Sequence, residues 1–246
     1  MLIAASATFG SKVIGVDGQV GTLKDLSFHD PSWKIRYLVV DSGTWLPGRQ
    51  VLLSPKDVAD RDWNHHFVIV PHTQQAIEDS PPIYSDQPVS LEMEKELERY
   101  FNWHSPLMGN PAAGPVTVGS DVYLDAESEH PDPEKQNAVL RSAKEVISYS
   151  ITAKDGGIGH VEDLIVDDEH WAIRYFIVDT RNWLPGKKVI VSPAWIDSIY
   201  WVEQAVHVNV DREAIKNSPE FDPSTPINRE YEEHLYDYYG RDKYWS

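Results

Sequence analysis

Residues 33–55 read WKIRYLVVDSGTWLPGRQVLLSP, and residues 171–193 read WAIRYFIVDTRNWLPGKKVIVSP. One segment occurs twice, and the match extends outward from it in both directions without a slip. Gly21 and Gly159, Trp33 and Trp171, and Trp63 and Trp201 are each 138 positions apart. A register kept this long implies that nearly every strand and turn is fixed by packing, since a one-residue slip turns all side chains of a strand to the opposite face. The repeat runs from Leu2, matched by Leu140, to about Phe101. It divides the chain into residues 1–103, a connector at 104–137, and residues 138–246.

The quoted stretch itself reads as strand, turn, strand. Residues 35–40 are apolar at both parities, the pattern of a central strand covered on both faces. Pro47-Gly48 marks a turn, and residues 50–53 resume a strand. Upstream, Asp17-Gly18 is a turn signal, and a strand is expected over 20–28 with Gly21 at a bulge or a close backbone approach. A last strand is expected over 67–70. Several short strands separated by Gly, Pro and Asp turns indicate a small sandwich or barrel. The class is therefore mainly β with helical extensions. Thr73 and Asp211 are positioned to cap a short helix that must stop before Pro81 and Pro219. Ser90 and Asn228 can cap a second, aromatic amphipathic helix, LEMEKELERYF in one copy and REYEEHLYDYY in the other. That helix covers either its own half or the other one. The connector carries Gly109, Pro111, Gly114, Pro115 and an acidic run near Glu127–Glu134, and reads as a linker.

The chain has 246 residues, with 39 acidic and 22 basic side chains and a formal charge of −17. Such a surface repels phosphate backbones and anionic lipid headgroups, so nucleic-acid binding and direct membrane docking are disfavoured. No cysteine is present, which removes disulfides and thiolate metal sites and fits a reducing compartment. No apolar run is long enough for a membrane span. The chain reads as a cytoplasmic protein.

The residues that carry the repeat also carry a family resemblance. Asp17-Gly18, Gly21, Asp25-Leu26, IRYLVVD, WLPGR and VLLSP, echoed by Asp155-Gly156, Gly159, Asp163-Leu164, IRYFIVD, WLPGK and VIVSP, resemble the PRC-barrel. That small β-barrel occurs in the photosynthetic reaction-centre H subunit and in a ribosome maturation factor. The resemblance covers nearly the whole chain apart from the connector, and is closest to bacterial proteins built from two such barrels with trailing aromatic helices. It implies two tandem PRC-like β-barrels, each followed by a short helix and an aromatic helix, that serve as docking surfaces for a protein partner. It also leaves a weaker expectation of a peripheral factor of a photosynthetic or electron-transfer membrane complex.

Among the side chains, Arg36 with Asp41, repeated as Arg174 with Asp179, is the most distinctive polar set. As a functional pair it would clamp an anion at an interface. The two sit at opposite parity, so one could face the barrel interior and the other out; as structural residues they would close a barrel end through an ion pair or a backbone hydrogen bond, and recurrence in both copies favours that role. Trp45 and Trp183 belong either to the core or to an aromatic interface patch, the residue type favoured at hot spots. Trp103, Tyr244 and Trp245 lie beyond the helices with no evident core to enter, and are stronger interface candidates. The repeated aspartates match no EF-hand spacing and read as turn and strand caps. His65, His66 and His72 have no counterparts in the second copy and read as a solvated strand edge. No nucleophile elbow, P-loop or dinucleotide fingerprint is present. The sequence therefore predicts no catalytic residue, no cofactor and no metal, but a non-catalytic interaction module with a protein partner, homo-oligomerisation being left open. The rival reading is a small-molecule or ion-binding protein, or an enzyme, that uses the cleft between the barrels.

Overall fold

A computed structural model describes residues 1–43, 46, 49–84, 89–103, 140–180 and 187–245. The first half comprises β1 (Leu2–Ala4), α1 (Ala5–Thr8), β2 (Lys12–Ile14), β3 (Gln19–His29), β4 (Lys34–Asp41), β5 (Arg49–Leu53), β6 (Asp60–Asp62), β7 (Phe67–Ile69), α2 (Gln74–Glu78), β8 (Ile83–Tyr84) and α3 (Leu91–Tyr100). The second comprises β9 (Leu140–Ser142), α4 (Ala143–Val146), β10 (Ser150–Ala153), β11 (Gly156–Asp167), β12 (Ala172–Asp179), β13 (Lys188–Val191), β14 (Ile196–Tyr200), β15 (Ala205–Val208), α5 (Arg212–Asn217) and α6 (Arg229–Tyr239). The protein is mainly β. The strands expected over 20–28, 35–40, 50–53 and 67–70 are all present, with ends shifted by a residue or so.

Where the sequence suggested two separate closed barrels, the described strands join in one continuous mixed sheet, and no described ladder closes either half into a ring. Two features produce this continuity. The first is a seam at the internal two-fold. Lys34 pairs with Ala172, its own counterpart, and Ile35 N–H donates to Trp171 O at 2.7 Å while Ile173 N–H donates to Trp33 O at 2.8 Å. Trp33 and Trp171 adopt left-handed backbone angles, φ 58° and 49°, which side chains with a Cβ enter only when their surroundings enforce it.

The second feature is an exchange. Strand β1 does not join its own half; it pairs with β11, Leu2 opposite Asp167. Reciprocally, β9 pairs with β3, Leu140 opposite His29. The short helices that follow are anchored across the seam in the same way. Asp163 accepts Ser6 N–H at 3.2 Å and the Ser6 hydroxyl, while Asp25 accepts Lys144 N–H at 3.0 Å and the Ser142 hydroxyl. The trailing helices stay at home. Glu94 of α3 accepts the Tyr37 hydroxyl of β4 at 3.0 Å, and Glu232 of α6 accepts the Tyr175 hydroxyl of β12 at 2.7 Å.

The central-strand pattern of β4 is realised as expected, with Tyr37, Leu38, Val39 and Val40 all buried. Leu38 and Val40 face the main core, whereas Tyr37 and Val39 join Leu52, Ile83 and Leu97 beneath α3. Burying a leucine such as Leu97 contributes about 2 kcal/mol. Gly21 and Gly159 mark close approach: a Cβ at Gly159 would stand 1.8 Å from Asp179 O, and its φ is +144°. The helix caps follow the sequence at Thr73, Ser90 and Asn228. Asp211 is an exception and caps nothing with its side chain; the turn residue Asp155 accepts the Arg212 N–H instead, at 2.8 Å.

Candidate functional site

Two clefts adjoin on the molecule, and the turn between β11 and β12 lines both through Glu169 and His170. That turn is held by Asp167, whose Oδ1 accepts the N–H groups of Glu169 (3.1 Å) and His170 (3.3 Å) and whose Oδ2 accepts Arg174 Nη2 (2.8 Å). Burial opposes the charge of Asp167, but the bonds from Arg174 and the turn prevail and bring its carboxyl down to about 2. The neighbouring Asp168 lies against the first half, accepting Arg61 Nε at 2.9 Å and Trp63 Nε1 at 2.8 Å. Burial again opposes ionisation, and the Arg61, Met1 amino and Trp63 bonds outweigh it and hold this carboxyl below its ordinary range.

The cleft of the first half, about 400 Å³, is lined by Lys34, Arg36, Tyr37, Lys56, Glu98 and Trp103, with Trp171 at the seam. Strand β4 presents Lys34 and Arg36 on its exposed parity, and Lys56 projects from the one-turn 3₁₀ helix Pro55–Asp57 that Ser54 caps. Trp103 follows α3 and is pinned by its indole N–H, which donates to Asp57 Oδ2 at 2.6 Å, and by stacking on Phe101 at 4.8 Å. His72 meets the same Asp57 oxygen at 2.8 Å. The residue with no counterpart in the second half is thus part of a clasp, not a bare strand edge. The second cleft, about 590 Å³, is lined by Arg174, Arg229, Glu232, Tyr244 and Trp245 beside the shared turn. Arg174 stacks on the Tyr244 ring at 4.1 Å, Arg229 on the Trp245 ring at 4.1 Å, and the Tyr244 hydroxyl donates to Glu232 at 2.8 Å.

Of the residues singled out in the sequence, Arg36 and Trp103 therefore share one cleft, and Arg174, Tyr244 and Trp245 the next. Trp45 and Trp183 lie outside the described residues. Trp103 and Trp245 are not free of the body as their positions suggested; both are half-buried on their own half because the trailing helices fold back over it. Among the described residues neither arginine pairs with the aspartate of its own strand. Arg36 approaches Glu94 and Glu98 at 3.7 Å each, Arg174 takes Asp167, Asp41 accepts Gly43 N–H, and the buried Asp179 faces His160 at 3.7 Å. The reason is register, since five residues along a strand place the two side chains on opposite faces. Sequence reasoning missed Glu169, His170 and Lys56, which only the fold brings to the site. Among the described residues no cluster of three or more His, Asp or Glu side chains is placed to hold a metal ion, and no helix is long and apolar enough to cross a membrane. No family model and no curated protein matches the chain.

Proposed function

We propose that the chain is a non-catalytic docking module, a duplicated PRC-type β-barrel joined into one body, that takes a protein partner on the face carrying the two adjoining clefts. The observation that carries this reading is the convergence of Arg36, Trp103, Arg174, Tyr244 and Trp245 around the shared Glu169–His170 turn. Arginine, tryptophan and tyrosine are the residue types that dominate interface hot spots. The motif likeness to PRC-barrels supports the same role. A cytoplasmic setting goes with the cysteine-free, strongly acidic composition.

The test is affinity capture from native lysate at modest salt with the tagged full chain and with its Arg36→Ala and Trp103→Ala variants, each checked for folding by circular dichroism. A stoichiometric partner held by the parent and lost from the variants is expected. Absence of any stoichiometric partner on the parent overturns the reading.

A further inference from the structure

The two halves use the same arginine differently. In the second half Arg174 is satisfied: Asp167 holds it at 2.8 Å and the Tyr244 ring covers it at 4.1 Å, leaving the side chain 19% exposed. Trp245 continues the cover, packing on Tyr236 at 5.1 Å. In the first half the counterpart of Asp167 is His29, which bonds to Ser32 and offers no carboxylate. Arg36 is 43% exposed, and its nearest carboxylates, Glu94 and Glu98, stand 3.7 Å away. Glu94 is already engaged by the Tyr37 hydroxyl. Among the described residues no ring lies over Arg36.

The surroundings differ in charge as well. Tyr236, which supports Trp245, is Glu98 in the first half, and the alanines Ala172 and Ala194 of the second half are Lys34 and Lys56. Both lysines are exposed; among the described residues Lys34 reaches only His170 O, at 3.5 Å, and Lys56 has no side-chain partner. Three cations therefore line this cleft against two carboxylates, Glu98 and Glu169, in a chain whose acidic side chains outnumber its basic ones by 39 to 22. The half whose arginine is the more exposed is also the half that carries the lysines.

We propose that the first-half cleft takes a segment of the partner protein in which an aromatic residue stands beside carboxylates, its ring stacking on Arg36 and its carboxylates pairing with Lys34 and Lys56. This rests on the docking reading above and names the chemistry of the partner. The second half displays the stacking geometry, with Tyr244 on Arg174 and Trp245 on the helix beyond it. Ring–guanidinium stacking selects the aromatic residue, and the lysines select the acidic flanks, with affinity that falls as salt screens them.

The experiment titrates the full chain into a fluorescein-labelled peptide, GEEYWEEG, and reads anisotropy, with GEEAAEEG and GKKYWKKG as controls. Saturable binding of the acidic aromatic peptide alone is expected, weakened about tenfold in the Lys34→Ala/Lys56→Ala double variant, two exposed ion pairs being lost. Those alanines are the residues that the second half carries at the same positions, and circular dichroism checks that the variant folds. Arg36→Ala should abolish the preference for GEEYWEEG over GEEAAEEG. No saturable binding of GEEYWEEG, equal binding by the double variant, or equal binding of the lysine peptide overturns the proposal. If lysate capture returns a partner that Arg36→Ala and Trp103→Ala lose but the lysine double variant holds as tightly as the parent, this assignment of acidic flanks falls while the docking reading stands; if no partner is captured at all, the docking reading falls.

Discussion

Replacing Asp167 with Asn tests the hinge of the whole face. The amide oxygen can still accept the Glu169 and His170 N–H groups, so the substitution removes mainly the charge that Arg174 and the His170 ring face. A carboxyl held at about 2 instead of an ordinary 3.8 contributes about 2 kcal/mol at neutral pH by linkage. The sign follows from the depressed value: the contribution is fully present above the unfolded carboxyl's pKa and is lost as pH falls through the folded one. The gap between parent and Asp167→Asn should be about 2 kcal/mol at pH 7, about 1 kcal/mol at pH 3 and close to zero below pH 2. Urea unfolding at pH 7 and pH 3 measures it directly, and the melting temperature at pH 7 should drop by roughly 4–8 °C. A variant as stable as the parent at pH 7, or a gap unchanged between pH 7 and pH 3, would refute the assignment of Asp167 as the charged anchor of Arg174.

Asp163 should behave in the opposite sense, because burial raises its carboxyl against the bonds from Ser6 and Leu164. Its ionisation opposes folding as pH rises above the unfolded value, so Asp163→Asn should stay within about 1 kcal/mol of the parent at pH 7, while Asp163→Ala should cost about 1–3 kcal/mol by orphaning the Ser6 donors. Hydrogen exchange over residues 1–8 would report the loosened arm. Gly159→Ala should cost about 3 kcal/mol or more, since its Cβ overlaps Asp179 O and its φ is +144°, whereas Gly157→Ala, with open space around it, should be nearly neutral; thermal unfolding separates the two. Trp63→Phe keeps the ring but leaves the buried Asp168 oxygen short of its 2.8 Å indole donor, at an expected cost of about 1–3 kcal/mol in chemical denaturation.

Much of each half was legible along the chain. The doubly apolar run at 35–40 announced a strand buried on both faces because side-chain parity is local. Gly21 announced a close approach, and Ser90 and Asn228 announced helix starts, because caps and turns act within a few residues. That Arg36 and Asp41 point to opposite faces was legible from their parity along the strand, whereas the turn of Arg36 toward Glu94 and Glu98 of α3 depends on where that helix docks.

The sequence by itself determined that there are two copies of one strand-rich module in constant register, each trailed by an aromatic helix, and it marked the positions where the copies diverge. Asp57 against Trp195 is such a position: the first becomes the shared acceptor of His72 and Trp103, the second a buried ring against Tyr236 and Tyr239. Only the tertiary structure decided that the first strand of each copy belongs to the other half, that Trp33 and Trp171 meet at a seam, and that the turn of the second half lines the cleft of the first. The physical reason is that the two copies offer corresponding edges to corresponding strands, and local sequence pattern does not choose between them. Periodicity says that Leu2 and Leu140 need a partner, but only the distance across the folded seam selects which of two matching edges receives each.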